Sequence, residues 1–297
     1  MTSKYRYTVS SKGLTDEQRK AYDENGYVLV KNLFPHSLLN EFSSYFDDVC
    51  TGKIATTSRM VKDPLLKKLG VKGESAIFKL QDFLNDDFLF RYATYKPLLD
   101  VVESIIGPDI IAVNSMLINK PPDAHPDLSR YPIHQDLHYL PFRPVNTTVA
   151  SWTAMESINK EHGCLFTFPG SHKKEELYPH DYPQGLRNPL FHGVTSSTEG
   201  SRTYVTMEKG DTMFFHPLLL HGSRPNLTAE FRKVISCHFT STNSYFIDVK
   251  GTSQEGIMKE MVDYMNGWVE DYMVIWKLKS RHVSGKNGSL LNIQNHL

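Results

Sequence analysis

The chain has 297 residues, with 40% hydrophobic and 22% charged content, the profile of an ordinary folded globular protein. Lys plus Arg and Asp plus Glu both number 33, so the formal charge is zero. A nucleic-acid binder would show a basic excess or a basic stripe, and the sequence shows neither. The three cysteines are sparse and lack metal spacing, which excludes a disulfide scaffold and points to a reducing compartment.

Along the chain, the first residues, MTSKYRYTVSSKG, carry no apolar run, so no secretory signal is expected there. Thr15 with Gln18 forms a capping-box pattern, and Gly26 is a helix stop, predicting a short helix over Asp16–Asn25. Tyr27–Val30 reads as a strand. Ser37–Cys50 repeats apolar residues at helical spacing (Leu38, Leu39, Phe42, Tyr45, Phe46, Val49). The lysine-rich stretch Lys62–Lys72 is interleaved with Leu and Gly and reads as a solvated face. Phe83–Ile106 is expected to be mainly helical. The most apolar longer stretch, Val101–Ile118, contains Glu103, Pro108, Asp109 and Asn114, whereas a spanning helix needs about 20 mostly apolar residues. No membrane insertion is expected.

From Ile110 the pattern changes to short β-type runs: Ile110–Ile118, Thr147–Met155, Cys164–Phe168, Tyr204–Met207, Thr212–Phe215 and Val234–Thr240. Turn-forming residues such as Pro121-Pro122, Pro169-Gly170 and Lys209-Gly210 separate them, the mark of a sandwich or barrel. Met261–Lys279 is predicted to be one closing helix. No repeat or linker divides the sequence, so residues 1–297 are expected to form one domain. It would have a helical part over 1–109, a β core over about 110–250 and a C-terminal helix over about 256–280.

Thirteen histidines require selection. In an extended segment residues i and i+2 project from one face, so His134 and Asp136 can present an imidazole and a carboxylate together. Alone, the tripeptide is common in proteins. A third ligand must come from a distant strand, and His216, His221 and His238 compete. His216 and His238 lie in or beside apolar runs, where a structural sheet histidine is the simpler reading. His221 sits where Leu218-Leu219-Leu220 gives way to Gly222-Ser223, a place from which an imidazole can face a cavity. Two histidines and one carboxylate on one face of iron leave open positions for substrate and oxygen. Arg232, near the start of the following strand, could hold a carboxylate through two parallel hydrogen bonds. Arg224 is its rival, and spacing does not choose between them.

This arrangement resembles the Fe(II)- and 2-oxoglutarate-dependent oxygenases, and within them the phytanoyl-CoA dioxygenase family. The carrying segments are LTDEQRKAYDENGYVLVKNL, MLINKPPD, HQDLHYLPFRP, WTAMESI, PGSHK, HDYP, MEKGDTMFFHPLLLHGS, FRKVISCHF and IDVKGTSQE, in order from Leu14 to Glu255. The resemblance implies a mainly β fold, a double-stranded β-helix (jelly roll, cupin-like) with flanking helices. It implies iron ligands His134, Asp136 and His221, with Arg232 and Ser223 on the far carboxylate of 2-oxoglutarate. Lys79, Met116 and Trp152 would line the cosubstrate pocket. The implied cofactors are Fe(II), 2-oxoglutarate and O2, with ascorbate as reductant.

The implied reaction belongs to fatty acid alpha-oxidation. It hydroxylates C2 of a branched-chain acyl-CoA, phytanoyl-CoA giving 2-hydroxyphytanoyl-CoA, with succinate and carbon dioxide released. A same-family oxygenase acting on another acyl-CoA or small molecule, or an inactive binding protein, are the alternatives. A peroxisomal location is implied by the resemblance; the chain starts near where a mature form lacking the family's leader would. Its ending, Asn295-His296-Leu297, shares only a basic-then-Leu pattern with the Ser-Lys-Leu address, and a cytoplasmic location is the alternative. Lys173 and Lys174 are candidates for the coenzyme A site, and His138, His172 and His192 either line the site or are structural.

Overall fold

The computed structural model describes residues 4–62, 70, 73–122, 131–183, 190–196, 198–265, 267–286 and 295–296. Its first helix, Asp16–Asn25, starts at the Thr15 cap: the Thr15 hydroxyl accepts from Gln18 N–H and the Gln18 side chain accepts from Thr15 N–H. It stops at Gly26, whose φ of 78° is left-handed. A Cβ at Gly26 would also lie 2.5 Å from the His172 ring. The strand Tyr27–Val30 follows at once and pairs with Thr212–Phe215.

Two facing antiparallel sheets form the centre. The larger has eight strands. Its path runs Tyr27–Val30, Thr212–Phe215, Thr148–Ala154, Arg232–Ser241, Ile110–Lys120, Ile77–Gln81 and Arg59–Lys62, and Arg281–Ser284 joins at Ile110–Lys120. The smaller has four, in the order Thr203–Val205, Leu165–Thr167, His221–Ser223, Tyr131–His134. This is the expected double-stranded β-helix.

The central strands of the larger sheet are buried on both faces, and the two-residue period sorts their side chains. Outward, Leu117, Val149, Ile235, Cys237 and Phe239 pack under the helices His36–Cys50 (Leu39, Phe42, Phe46) and Lys96–Ile106 (Leu98, Val102, Ile105). Each such apolar side chain contributes about 1.5–3 kcal/mol on burial. Inward, Asn114, Met116, Ile118 and Lys120 alternate along one strand and face the small sheet. The helices therefore act as a backing that keeps one face of the sheet dry and leaves the other for chemistry.

Two differences from the sequence reading stand out. The single closing helix over about 256–280 is two helices, Glu255–Tyr264 and Tyr272–Lys279. Gly267 lies between them at φ 80°, a conformation no helix contains. The helical N-terminal part contains two unforeseen strands, Arg59–Lys62 and Ile77–Gln81, which extend the large sheet. Phe83–Ile106 is mainly helical as expected, a short 3-10 turn followed by two helices. Of Lys62–Lys72, residues 63–69 and 71–72 lie outside the described residues, as does Leu297 of the terminal tripeptide. No helix among the described residues is long and apolar enough to cross a membrane.

Candidate metal centre and cosubstrate cavity

His134 ends its strand directly opposite His221 in the small sheet. Gly222 permits this close approach, since a Cβ there would lie 2.7 Å from the Phe166 ring and 3.1 Å from the carbonyls of Tyr131 and Pro132. Each imidazole donates from Nδ1 to a backbone carbonyl two residues back, His134 to Pro132 and His221 to Leu219, both at 2.9 Å. That bond fixes the proton on Nδ1 and leaves the Nε2 lone pair free. Both Nε2 atoms face Oδ1 of Asp136, at 3.3 and 3.6 Å. Gln135, between them, points the other way and is bolted to Glu176, Tyr178 and Leu218 backbone groups.

One ligand atom from each of His134, Asp136 and His221 lies within 4.8 Å of the others. Burial pushes the Asp136 carboxyl upward, but the neighbouring His221 and His238 outweigh it and hold the group well below the ordinary carboxylate range. Burial and the neighbouring His134 push His221 down to about 4. A carboxylate and a neutral imidazole are the forms that bind a divalent cation. Two histidines with one carboxylate are the donor set of a non-haem iron(II) site.

The centre opens on a cavity of about 320 Å³ between the sheets, within the usual range of ~300–1,000 Å³ for small-molecule sites. Lys79, Met116, Trp152, Ser223 and Arg232 all line it. Met116 and Trp152 flank Ser236 in the large sheet's register. Arg232 is buried, its guanidinium 5.2 Å from the Trp152 ring centre. Its Nε has no hydrogen-bond partner among the described residues, and Nη1 has only a long bond of 3.4 Å to the Gly163 carbonyl. Burial pushes this guanidinium down to about 10. A buried cation with vacant donors is a seat for a carboxylate. Arg224 instead lies outside the cavity lining, its guanidinium 5.4 Å from the Tyr204 ring.

Two participants escaped the sequence reading. Lys120 is buried and donates to Ser223 Oγ at 2.9 Å and to the Arg224 carbonyl at 2.6 Å, placing a second cation beside Ser223. The alternation Asn114, Met116, Ile118, Lys120 was the available signal. His238, read as a structural sheet histidine, faces the centre: its Nε2 lies 2.8 Å from Asp136 Oδ2. His216 is structural as read, buried and bonded to Asn146. His138, His172 and His192 do not line the cavity; His138 bonds to His192, which bonds to Glu260. Lys173 and Lys174 do not line it either, and Lys174 pairs with Glu199.

The profile of the family described as Phytanoyl-CoA dioxygenase (PhyH) matches residues 22–234. Human peroxisomal phytanoyl-CoA dioxygenase is 45% identical over 96% of this chain and 87% of its own length. A Caenorhabditis elegans protein named probable phytanoyl-CoA dioxygenase is 41% identical over 96% of this chain and 97% of its own. Among solved structures, the epimerase SnoN with Fe3+, alpha ketoglutarate and nogalamycin RO is 18% identical, with a TM-score of 0.62 over 92% of this chain and 95% of its own. EctD from S. alaskensis, with 2-oxoglutarate and 5-hydroxyectoine, is 15% identical, with a TM-score of 0.63 over 82% of this chain and 81% of its own. These last two share the fold. With the profile covering most of the sequence and the relatives aligned almost end to end, the chain belongs to the phytanoyl-CoA dioxygenase family.

Proposed function

We propose that the protein is an Fe(II)- and 2-oxoglutarate-dependent dioxygenase that hydroxylates C2 of phytanoyl-CoA or a closely similar branched-chain acyl-CoA. The observation that carries this reading is the meeting, in one cavity, of the His134, Asp136 and His221 ligand atoms with the buried, unsatisfied Arg232. The names of the relatives supply the substrate.

In this reading His134, Asp136 and His221 hold iron. Bound there, the iron supplies dioxygen activation that couples decarboxylation of 2-oxoglutarate to hydroxylation. Arg232 and Ser223 hold the far carboxylate of the cosubstrate, and the Arg232 fork orients it through paired donors. Lys120 stabilises that seat from the Ser223 side. Met116 and Trp152 give the chain of the cosubstrate an apolar wall. Lys79, pushed down to about 8 by burial and by Arg59, adds positive potential at the cavity wall. Tyr131, whose ring lies 4.4 Å from that of His134, shields the centre from water. Residues 1–297 are taken as one oxygenase domain, and the peroxisome, printed in the names of the mammalian relatives, is the proposed compartment.

Succinate release from 2-oxoglutarate, with Fe(II) and ascorbate, tests this. Phytanoyl-CoA should stimulate it more than a straight-chain acyl-CoA or the free acid. Turnover without acyl-CoA stimulation would move the substrate elsewhere within the family. No turnover despite bound iron would favour a binding protein.

A further inference from the structure

The whole chain is electrically balanced, yet its central cavity is not. Among the described residues lining it are six cations, Arg59, Lys62, Lys79, Lys120, Arg232 and Lys279, against one carboxylate, Asp136. They differ in depth. Arg232 and Lys120 are buried in the cavity wall, whereas Arg59 and Lys62 are exposed at the outer strand of the large sheet. A dicarboxylate held at Arg232 occupies the deep pair and leaves the outer cations unused.

The route between the two ends is apolar and aromatic. The rings of His134 and Tyr131 are 4.4 Å apart, those of Tyr131 and Phe191 4.5 Å, and those of Phe191 and Phe78 5.7 Å. Phe78 is the extra residue of a bulge: opposite it the register passes from Val61↔Lys79 to Lys62↔Ile77. A bulge re-aims side chains, and here Val61, Lys62, Phe78 and Lys79 all reach the cavity. The aromatic wall thus starts at an iron ligand and ends on the strand pair that carries Arg59 and Lys62. Arg59 is additionally braced by the Tyr264 ring at 4.9 Å and by Asp82 at 3.5 Å. Asp82 is shared with Lys279 at 3.4 Å, and its pair with the exposed Arg59 is weak, about 0–1 kcal/mol.

We propose that Arg59 and Lys62 form a phosphate-binding rim for the nucleotide end of the acyl-CoA, and that the Tyr131–Phe191–Phe78 wall guides the thioester arm from this rim to the metal centre. The inference rests on the acyl-CoA reading above and names the part of the molecule that the outer cavity recognises. Phosphates are polyanions, so the rim also steers the substrate toward the cavity, with a rate that falls as salt rises.

The test is calorimetric titration of the full chain with free coenzyme A and, separately, with pantetheine, which lacks the phosphates. The double variant Arg59→Gln with Lys62→Gln should bind coenzyme A about tenfold more weakly, the sum of two exposed charge contacts, and pantetheine unchanged. The charge-keeping Arg59→Lys should retain most of the affinity, and an unaltered unfolding midpoint in each variant shows the fold intact. Wild-type affinity in the double variant, an equal loss for pantetheine, or no binding of coenzyme A to the wild type would overturn the rim. Succinate release separates this from the wider reading. If phytanoyl-CoA stimulates turnover but its KM is unmoved in the double variant, the rim fails while the function stands. If no acyl-CoA stimulates turnover yet coenzyme A binding still depends on Arg59 and Lys62, the rim stands and the substrate assignment fails.

Discussion

His238 and Asp136, 102 residues apart in sequence, are joined by a bond of 2.8 Å from imidazole Nε2 to carboxylate Oδ2. The direction of that bond is set by its other neighbours. Lys279 Nζ and Gln81 Nε2 both donate to Asn114 Oδ1, at 3.0 and 2.9 Å, which turns the Asn114 amide nitrogen toward His238 Nδ1 at 3.4 Å. His238 therefore accepts at Nδ1 and donates at Nε2. Asp136 is left with Oδ2 engaged and Oδ1 aimed between His134 and His221.

A ligand held this way binds metal in a ready geometry, and loss of such an outer contact typically lowers metal affinity about 10–100-fold. His238→Phe preserves the ring while removing the donor. It is expected to weaken Fe(II) binding in that range, read by anaerobic metal titration, with the cosubstrate site retained. Wild-type iron affinity in this variant would show that the carboxylate is fixed from elsewhere.

Asp136→Ala removes the one carboxylate among the described cavity-lining residues. Succinate release should be abolished, and excess Fe(II) should not restore it, because the two remaining imidazoles carry no charge to offset the cation. Full activity with purified iron would refute this ligand assignment.

How much of this was readable beforehand follows from the range of each relationship. His134 and Asp136 are two residues apart, so local backbone geometry alone paired them. His221 needed the register His221↔His134 between distant strands, which no local pattern encodes; its place at a strand exit favoured it over His216 and His238, and the family resemblance decided it. Arg232 and Arg224 differed for the same reason: one begins the long central strand and points inward, while the other precedes it and stacks on Tyr204. His238 was misread because its apolar neighbours were correctly placed in the sheet. Its own side lies on the inward face, and residue composition cannot say which face of a doubly buried strand meets a cavity. Arg59–Lys62 was missed because an edge strand with exposed Arg59 and Met60 carries no clear apolar alternation.

Arg232 and Arg224 provide the cleanest paired comparison. A bond between charged groups is worth about 1.5–3 kcal/mol, so Arg232→Gln should raise the KM for 2-oxoglutarate roughly 10–100-fold. The change should fall mainly on KM, since the arginine holds the end of the cosubstrate remote from the metal. Arg224→Gln should leave that KM near the wild-type value. Steady-state kinetics with varied 2-oxoglutarate decides it, and a KM rise in the Arg224 variant alone would exchange the two roles.

Acid should destabilise the fold through buried histidines outside the cavity lining as well as those that line it. His172 and His216 lie 5.4 Å apart, ring centre to ring centre, with Tyr7 packed on both. Burial pushes His172 down to about 4 and His216 to about 3. In the unfolded chain each titrates near 6.5. As pH falls through about 6.5 the unfolded state takes up protons that the folded state refuses. The stability is therefore complete above that value and is lost progressively toward the folded values. Each histidine contributes a slope of about 1.4 kcal/mol per pH unit within this window. His172→Phe isolates one of them, because among the described residues neither ring nitrogen of His172 has a close hydrogen-bond partner. Urea unfolding of the chelator-treated protein at pH 7.5 and 5.0 should show a steep loss in the wild type and a loss smaller by one proton's slope in the variant. Parallel pH profiles for the two proteins would mean that His172 becomes protonated without unfolding, and that the packing around Tyr7 admits the charge.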